Sequence, residues 1–403
     1  MSQTISLRDS AVYGQLAPES AVVALTAAGP TGEPALRPLL GQSLDWEKVV
    51  NLATRERAIG PVARDFRRLG FQTIPRPVLD RLARMGLVTE FQLASLHERL
   101  GKLLTLLARN DIEALLLKGA GLAYSAYPSL EERPMGDIDL LVHPDVADRA
   151  WKLAVENGWM RRKDVAEERS YEDHQHLSPL EDADGLQIGL EIHTALFTQQ
   201  APFALDAAGL WERARRMTIA GAPALVPSAE DQLIHAALHF AWSHEMTFGA
   251  WRTLRDVERI VATNALDWSE VVRRAKAVRG GTCCYWTLRL ARDLAGVEVP
   301  PEVLTELSPR LPERVLRALT RYFADHALPN PDLILSSVSL SRALWTLGVR
   351  PRGQGHGSSR PWLDTEEWVR VPGGMQNTRT SATRRLLKQS FGLLRSVGSL
   401  ISP

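Results

Sequence analysis

The sequence predicts an α+β fold, a small mixed β-sheet core flanked by helical N-terminal and C-terminal domains. Three observations carry that prediction. Residues 111–143 run in the order apolar strand, Gly-rich turn, helix, loop and second apolar strand. Upstream, leucines recur at threes and fours from residue 78 to 110, the spacing of a long helix. Downstream, residues 205–300 carry helical periodicity, with a helix-start signal at Ser228.

Composition bounds the class. A chain of 403 residues can bury two or three cores. Charged residues make up 24% with a net charge of +1, so no global basic field draws nucleic acid; a small-molecule, saccharide or peptide partner is favoured. The two cysteines, Cys283 and Cys284, are adjacent, which implies no disulfide framework and fits a reducing cytoplasm. The first residues lack a basic start followed by an apolar core, so no signal peptide is expected. No apolar run approaches 18 residues, so no transmembrane segment is expected either.

Taken in order, residues 1–40 mix Pro, Gly and small residues with short apolar pieces and predict a loosely ordered lead-in holding one short helix. Residues 41–110 form the helical N-terminal domain. Its first part carries a stripe of Val49, Val50, Leu52, Ala53 and Ile59; Pro75 and Pro77 then interrupt, and the leucine stripe that follows is core packing. Residues 111–204 form the α/β core. The run 112–117 stops at Lys118, Gly119 and Gly121 open a helix that Pro128 ends, and 138–142 is the second strand. Pro144 starts a helix that Asn157 and Gly158 stop. A short strand follows at Trp159, then an exposed charged loop at 164–171 and an edge strand at 174–180. The turn DADG at 182–185 pairs that edge strand antiparallel with a strand at 187–193. Residues 205–349 form the helical C-terminal domain, which includes two short extended pieces at 218–226. Residues 350–383 are Gly-, Pro-, Ser- and Arg-rich and predict a flexible linker. Residues 384–403 predict a basic amphipathic helix that docks on its own protein or lies on a membrane surface.

The chemistry concentrates at the second strand. Asp137 and Asp139 sit two apart, so their side chains leave one face of a strand together. Carboxylates side by side repel unless a cation or a shared proton lies between them, which makes the pair a divalent-metal platform. Glu191 lies in an apolar strand and supplies a third carboxylate, while Lys118 and Arg133 bracket the unit with positive charge. The bland alternative is a solvated strand start. Histidines offer a different metal: His174 or His176 with His193, or His235 with His239 four apart on a helix, is zinc-ligand spacing, although the Glu of the zinc-protease motif is absent. His193 is otherwise expected to orient Glu191 or face the nucleotide. Arg252, Arg255 and Asp256 on a later helix either line one wall of the cleft or form surface ion pairs.

The stretches LLKGAGL, RPMGDIDLLV and LEIHTAL resemble the DNA polymerase beta-like nucleotidyltransferase superfamily, and within it a group of uncharacterised bacterial nucleotidyltransferase family proteins. The resemblance covers roughly residues 44–300. It implies that Asp137, Asp139 and Glu191 are catalytic and hold Mg²⁺ or Mn²⁺. It implies that Lys118, Gly119, Gly121 and Arg133 bind the nucleotide. His193, His235, His239, Arg252, Arg255 and Asp256 become acceptor or phosphate contacts. The superfamily's Gly-Ser pair is Gly119-Ala120 here, and Glu191 stands where Asp is commoner. The implied reaction moves a nucleoside monophosphate from an NTP, ATP foremost, to a hydroxyl or phosphate acceptor, and the group resembles tailoring enzymes of peptide or saccharide biosynthesis. The alternative is a catalytically degenerate nucleotide-binding or interaction module with the same fold.

Overall fold

The computed structural model describes residues 16–70, 73–162, 171, 174–186, 188–204, 206–329, 338–351, 368–371 and 374–377. The architecture is α+β, with helices at both ends of one seven-stranded mixed sheet.

The N-terminal helices are α1 (Pro18–Ala27), α2 (Glu33–Leu40), α3 (Trp46–Arg55), α4 (Ile59–Leu69) and the 34-residue α5 (Arg76–Arg109). Asp45 caps α3 by accepting from the Glu47 and Lys48 N–H groups, and Gly70 ends α4 in the left-handed conformation that a side chain resists. The loose lead-in expected over residues 1–40 is corrected here for its second half: α1 is buried from Ser20 to Ala27. Its sequence, PESAVVALTA, is apolar on every face, so it lacks the one-sided stripe that marks a surface helix. Thr26 at its end accepts from the Trp251 indole N–H at 2.9 Å, which ties the segment to the C-terminal helices.

The sheet runs in the order β3 (Trp159–Arg161), β4 (Leu180–Asp182), β5 (Gly189–His193), β2 (Asp137–Leu141), β1 (Leu115–Leu116), β7 (Ala222–Val226) and β6 (Arg215–Ile219). The pairs β2–β5 and β1–β7 are parallel and the others antiparallel. The expected edge strand at 174–180 is shorter: among the described residues of that segment a His176–His193 bridge precedes β4. Helix α6 (Lys118–Ser125) lies over β1, and α7 (Ala147–Glu156) leads into β3. Gly121 is required where α6 crosses, because a Cβ there would stand 2.5 Å from the Leu116 carbonyl oxygen.

The C-terminal part holds α8 (Ala207–Glu212), α9 (Ala229–Leu238, extended by a π-turn at His239–Ser243), α10 (Ala250–Thr263), α11 (Trp268–Ala277), α12 (Gly281–Ala295), α13 (Pro301–Leu307), α14 (Glu313–Ala327) and α15 (Val338–Gly348). Ser228 caps α9, as the sequence predicts, and Asp267 caps α11. The terminal helical segments do not keep separate cores: residues from α1, α3 and α4 join α9 to α14 in one apolar cluster. Helix α5 bridges the two layers. Leu82 belongs to the helical cluster, whereas Leu93 to Leu107 pack on the sheet. Within the stretch expected to be a linker, β8 (Trp368–Val371) and β9 (Gly374–Asn377) pair antiparallel; residues 384–403 lie outside the described residues.

Candidate functional site

Parallel pairing of β2 with β5 sets Asp139 directly opposite Glu191 and Asp137 opposite Gly189. The two-residue period of β2 turns Asp137 and Asp139 to one face, so three carboxylates line a single cleft of about 330 Å³. Lys118, first residue of α6, extends its ammonium between them, 2.6 Å from Asp139 Oδ1 and 3.7 Å from Glu191 Oε2. His193 Nε2 donates to Asp139 Oδ1 at 2.9 Å and stands 3.4 Å from Glu191. His176 donates from Nδ1 to the Leu177 carbonyl at 2.8 Å, which leaves its Nε2 facing Glu191 at 4.0 Å. The expectation that His193 orients Glu191 thus acquires a geometry, with Asp139 as its nearer partner.

The paired aspartates are electrostatic opposites. Burial opposes ionisation of Asp139, but the Lys118 ammonium and the His193 imidazole outweigh it and hold that carboxyl well below its usual range. Asp137 has no hydrogen bond or ion pair among the described residues, and burial followed by the Asp139 charge pushes it up. For Glu191, burial is again outweighed, chiefly by the His193 hydrogen bond, and the group is held below its usual value. Asp139, Glu191 and His193 bring one ligand atom each within 4.8 Å of one another. An oxygen-rich donor set with an unpartnered, charge-stressed aspartate beside it fits a hard divalent ion such as Mg²⁺ or Mn²⁺ better than zinc.

The opposite wall comes from the helices. Glu56, buried at the end of α3, accepts from the Trp251 backbone N–H at 3.0 Å and so caps α10 from a distance. That bond holds the α3–α4 corner against α10 and brings Arg57 and Arg252 into the same cleft. Neither guanidinium has a carboxylate partner among the described residues. Arg252 lies over the Phe248 ring at 5.3 Å, and burial followed by repulsion from Arg133 and Arg57 lowers it to about 10. Arg57 was not singled out in the sequence: it stands in the tight turn between α3 and α4 at φ 55°, and the cleft it enters is assembled from residues far along the chain.

Three predicted nucleotide or acceptor contacts, Arg133, Asp256 and Arg255, are held in ion pairs. Arg133 borders the cleft, but its Nε and Nη2 grip Asp256 at 2.6 and 2.9 Å and its Nη1 bonds the Pro134 carbonyl. The pair is buried, and Tyr127 completes it with a 2.6 Å hydrogen bond to Asp256. Arg133 and Asp256 therefore fasten the loop before β2 to α10, with all three guanidinium nitrogens of Arg133 hydrogen-bonded. Arg255, three residues and a little short of a full turn from Arg252 on α10, does not line the cleft: its guanidinium is held by Glu132 and Glu258. Gly119, Gly121, His235 and His239 do line the cleft.

A family model described as an uncharacterised nucleotidyltransferase matches residues 42–296, more than half of the chain. The chain belongs to this family. No curated protein and no solved structure matches it. The matched span runs from just before α3 to the end of α12, so it takes in every cleft residue named above, Arg57 included. Membership carries nucleotidyl transfer from an NTP as the general activity of this nucleotidyltransferase. Among the described residues no helix is long and apolar enough to cross a membrane.

His235 and His239 are the neutral side of the nucleotidyltransferase cleft. Burial, then repulsion from Lys118, lowers His235 to about 3 and His239 well below its ordinary value. Both stay uncharged in the folded chain, while the unfolded chain takes up their protons near pH 6.5. Folded pKa values below unfolded ones mean that stability is intact above about pH 6.5 and falls as pH drops toward 3, by ~1.4 kcal/mol per pH unit for each histidine. Urea unfolding at pH 7 and pH 5 checks this. His235→Gln is expected to remove one histidine's share of the slope.

Proposed function

We propose that this nucleotidyltransferase moves a nucleoside monophosphate from ATP or another NTP to a hydroxyl acceptor, with release of pyrophosphate. The observation that carries the reading is the pairing of Asp139 with Glu191 across parallel strands, in a cleft whose far wall holds two arginines without carboxylate partners among the described residues. Asp137, Asp139 and Glu191 would hold one or two Mg²⁺, which when bound neutralises phosphate charge and acidifies an acceptor hydroxyl. The protein's own groups do the rest. Arg57 and Arg252 balance the charge of the triphosphate, and the first N–H groups of α6, at Gly119 and Ala120, have no carbonyl of that helix to bond. Glu191, ionised at neutral pH, accepts the proton of the acceptor hydroxyl. The acceptor oxygen then forms its bond to the α-phosphorus as the bond to the bridging oxygen breaks, and the electron pair leaves with pyrophosphate.

Calorimetry with ATP, CTP, GTP and UTP, with and without Mg²⁺, tests the reading, and pyrophosphate release tests turnover. Mg²⁺-dependent binding without any transfer of labelled α-phosphate would favour the degenerate module, for which Ala120 in place of the superfamily's serine speaks. Arg57→Ala and Arg252→Ala are each expected to weaken ATP binding by roughly 10- to 100-fold, the loss of one charge-assisted phosphate contact. Neither variant breaks an ion pair among the described residues, so unfolding midpoints should stay near that of the native chain. Unchanged ATP affinity in both would remove the arginines from the phosphate site.

A further inference from the structure

A second chamber, of about 420 Å³, opens beside the cleft. Asp137, Asp139 and Leu141 share one face of β2, and Leu141 enters the chamber wall, so the space begins one pleat beyond Asp139. Apolar side chains dominate it, Leu196, Phe197, Ile234 and Leu238 among them. At one side the Trp211 ring stacks on His143, with centroids 4.2 Å apart and planes 16° from parallel, which presents a flat aromatic surface.

Charge divides the two spaces. Every arginine at the chamber rim is already matched: Arg213 with Asp231 and Asp206, Arg274 with Asp231 and Glu270, Arg273 with Glu270. The chamber therefore offers no spare cation to a phosphate, whereas the cleft offers Arg57 and Arg252. One side chain belongs to both linings. His235 borders cleft and chamber, and its Nε2 is buried without a hydrogen-bond partner. A buried polar atom without a partner is one that a ligand can satisfy.

We infer that the chamber seats the acceptor, an uncharged molecule whose apolar, ring-bearing body lies along Trp211 and whose hydroxyl reaches the cleft past His235 Nε2. This rests on the nucleotidyl-transfer reading above. The volume suits a ligand of drug-like size, within the roughly 300–1,000 Å³ of small-molecule sites. Triphosphate and acceptor body then occupy different spaces, and the hydroxyl meets the α-phosphorus where the spaces join.

Saturation-transfer NMR on the full chain tests the inference with 2-naphthol, a neutral planar hydroxyl compound, against naphthalene-2-sulfonate. Ala208→Trp on α8 and Ala277→Trp at the end of α11 fill the chamber from two walls, and both positions are exposed, so folding is preserved. Naphthol is expected to bind the native chain, to lose at least tenfold in affinity in each variant, and to bind at least tenfold more tightly than the sulfonate. Both variants should bind ATP with Mg²⁺ within twofold of the native chain, and naphthol and ATP together should give interligand NOEs. No naphthol binding to the native chain, full affinity in both variants, equal binding of the sulfonate, or competition between naphthol and ATP overturns the inference. Naphthol binding is measured without nucleotide, so a failure of ATP to bind the native chain would overturn the nucleotide reading separately.

Discussion

Asp137→Asn is expected to raise the melting temperature of the metal-free protein while abolishing Mg²⁺-dependent nucleotide binding. The carboxyl is pushed up by burial and by the neighbouring Asp139 charge, so its ionised form is a load on the folded state at neutral pH. An amide of the same shape removes the charge and the repulsion together. The same change removes one ligand from the carboxylate set, and transfer should fall by about 10²–10³ or more, the scale for losing one preorganised electrostatic group. Asp139→Asn makes the contrast. That carboxylate is stabilised by Lys118 at 2.6 Å and His193 at 2.9 Å, so its loss should lower stability as well as activity. Breaking a buried pair costs ~3–5 kcal/mol, and Glu191, 3.7 Å from the same ammonium, should hold the loss toward the lower end. Differential scanning calorimetry in chelator, followed by nucleotide calorimetry with Mg²⁺, separates the two. Unchanged Mg²⁺-dependent binding in the Asp137 variant would sink the assignment of this carboxylate to metal.

The carboxylates were legible because strand periodicity and short-range topology decide their position. Asp137 and Asp139 share a face by the two-residue period alone, and Glu191 reaches them once two apolar strands pair in parallel. The arginines were not legible, because their fates depend on partners far along the chain. Arg133 stands beside an acidic strand and looks like a phosphate ligand, but Asp256 lies 123 positions later and claims it. Nothing local distinguishes Arg252, which lines the cleft, from Arg255, which does not; the ion pair with Glu132 decides. Arg57 depends on a cap between Glu56 and Trp251, 195 positions apart, which no periodic pattern encodes. The buried α1 escaped for a different reason: with all faces apolar it carries no amphipathic stripe, and its Pro and Gly neighbours resemble a loose terminus.

Arg133→Ala is expected to destabilise the fold by ~3–5 kcal/mol, the cost of leaving one partner of a buried ion pair uncompensated. The guanidinium is nearly closed off from solvent and gives three hydrogen bonds, two of them to Asp256. Removing it leaves Asp256 with the Tyr127 hydroxyl as its one side-chain donor among the described residues. Arg133→Lys should recover little, because one ammonium cannot reproduce the bidentate grip on both carboxylate oxygens. The double change Arg133→Met with Asp256→Leu should cost far less than the single alanine, since replacing both charges with apolar groups removes the desolvation penalty along with the attraction. Urea unfolding of the three variants reads this directly. A phosphate-binding role predicts the reverse pattern: a small stability change in Arg133→Ala, a large loss of ATP affinity, and no rescue in the double variant. Because the pair joins the loop before β2 to α10, it also sets the distance between the carboxylates on β2 and Arg252 on α10. The double variant should therefore fold well yet bind ATP more weakly than the native chain, which would mark Arg133 and Asp256 as positioning residues.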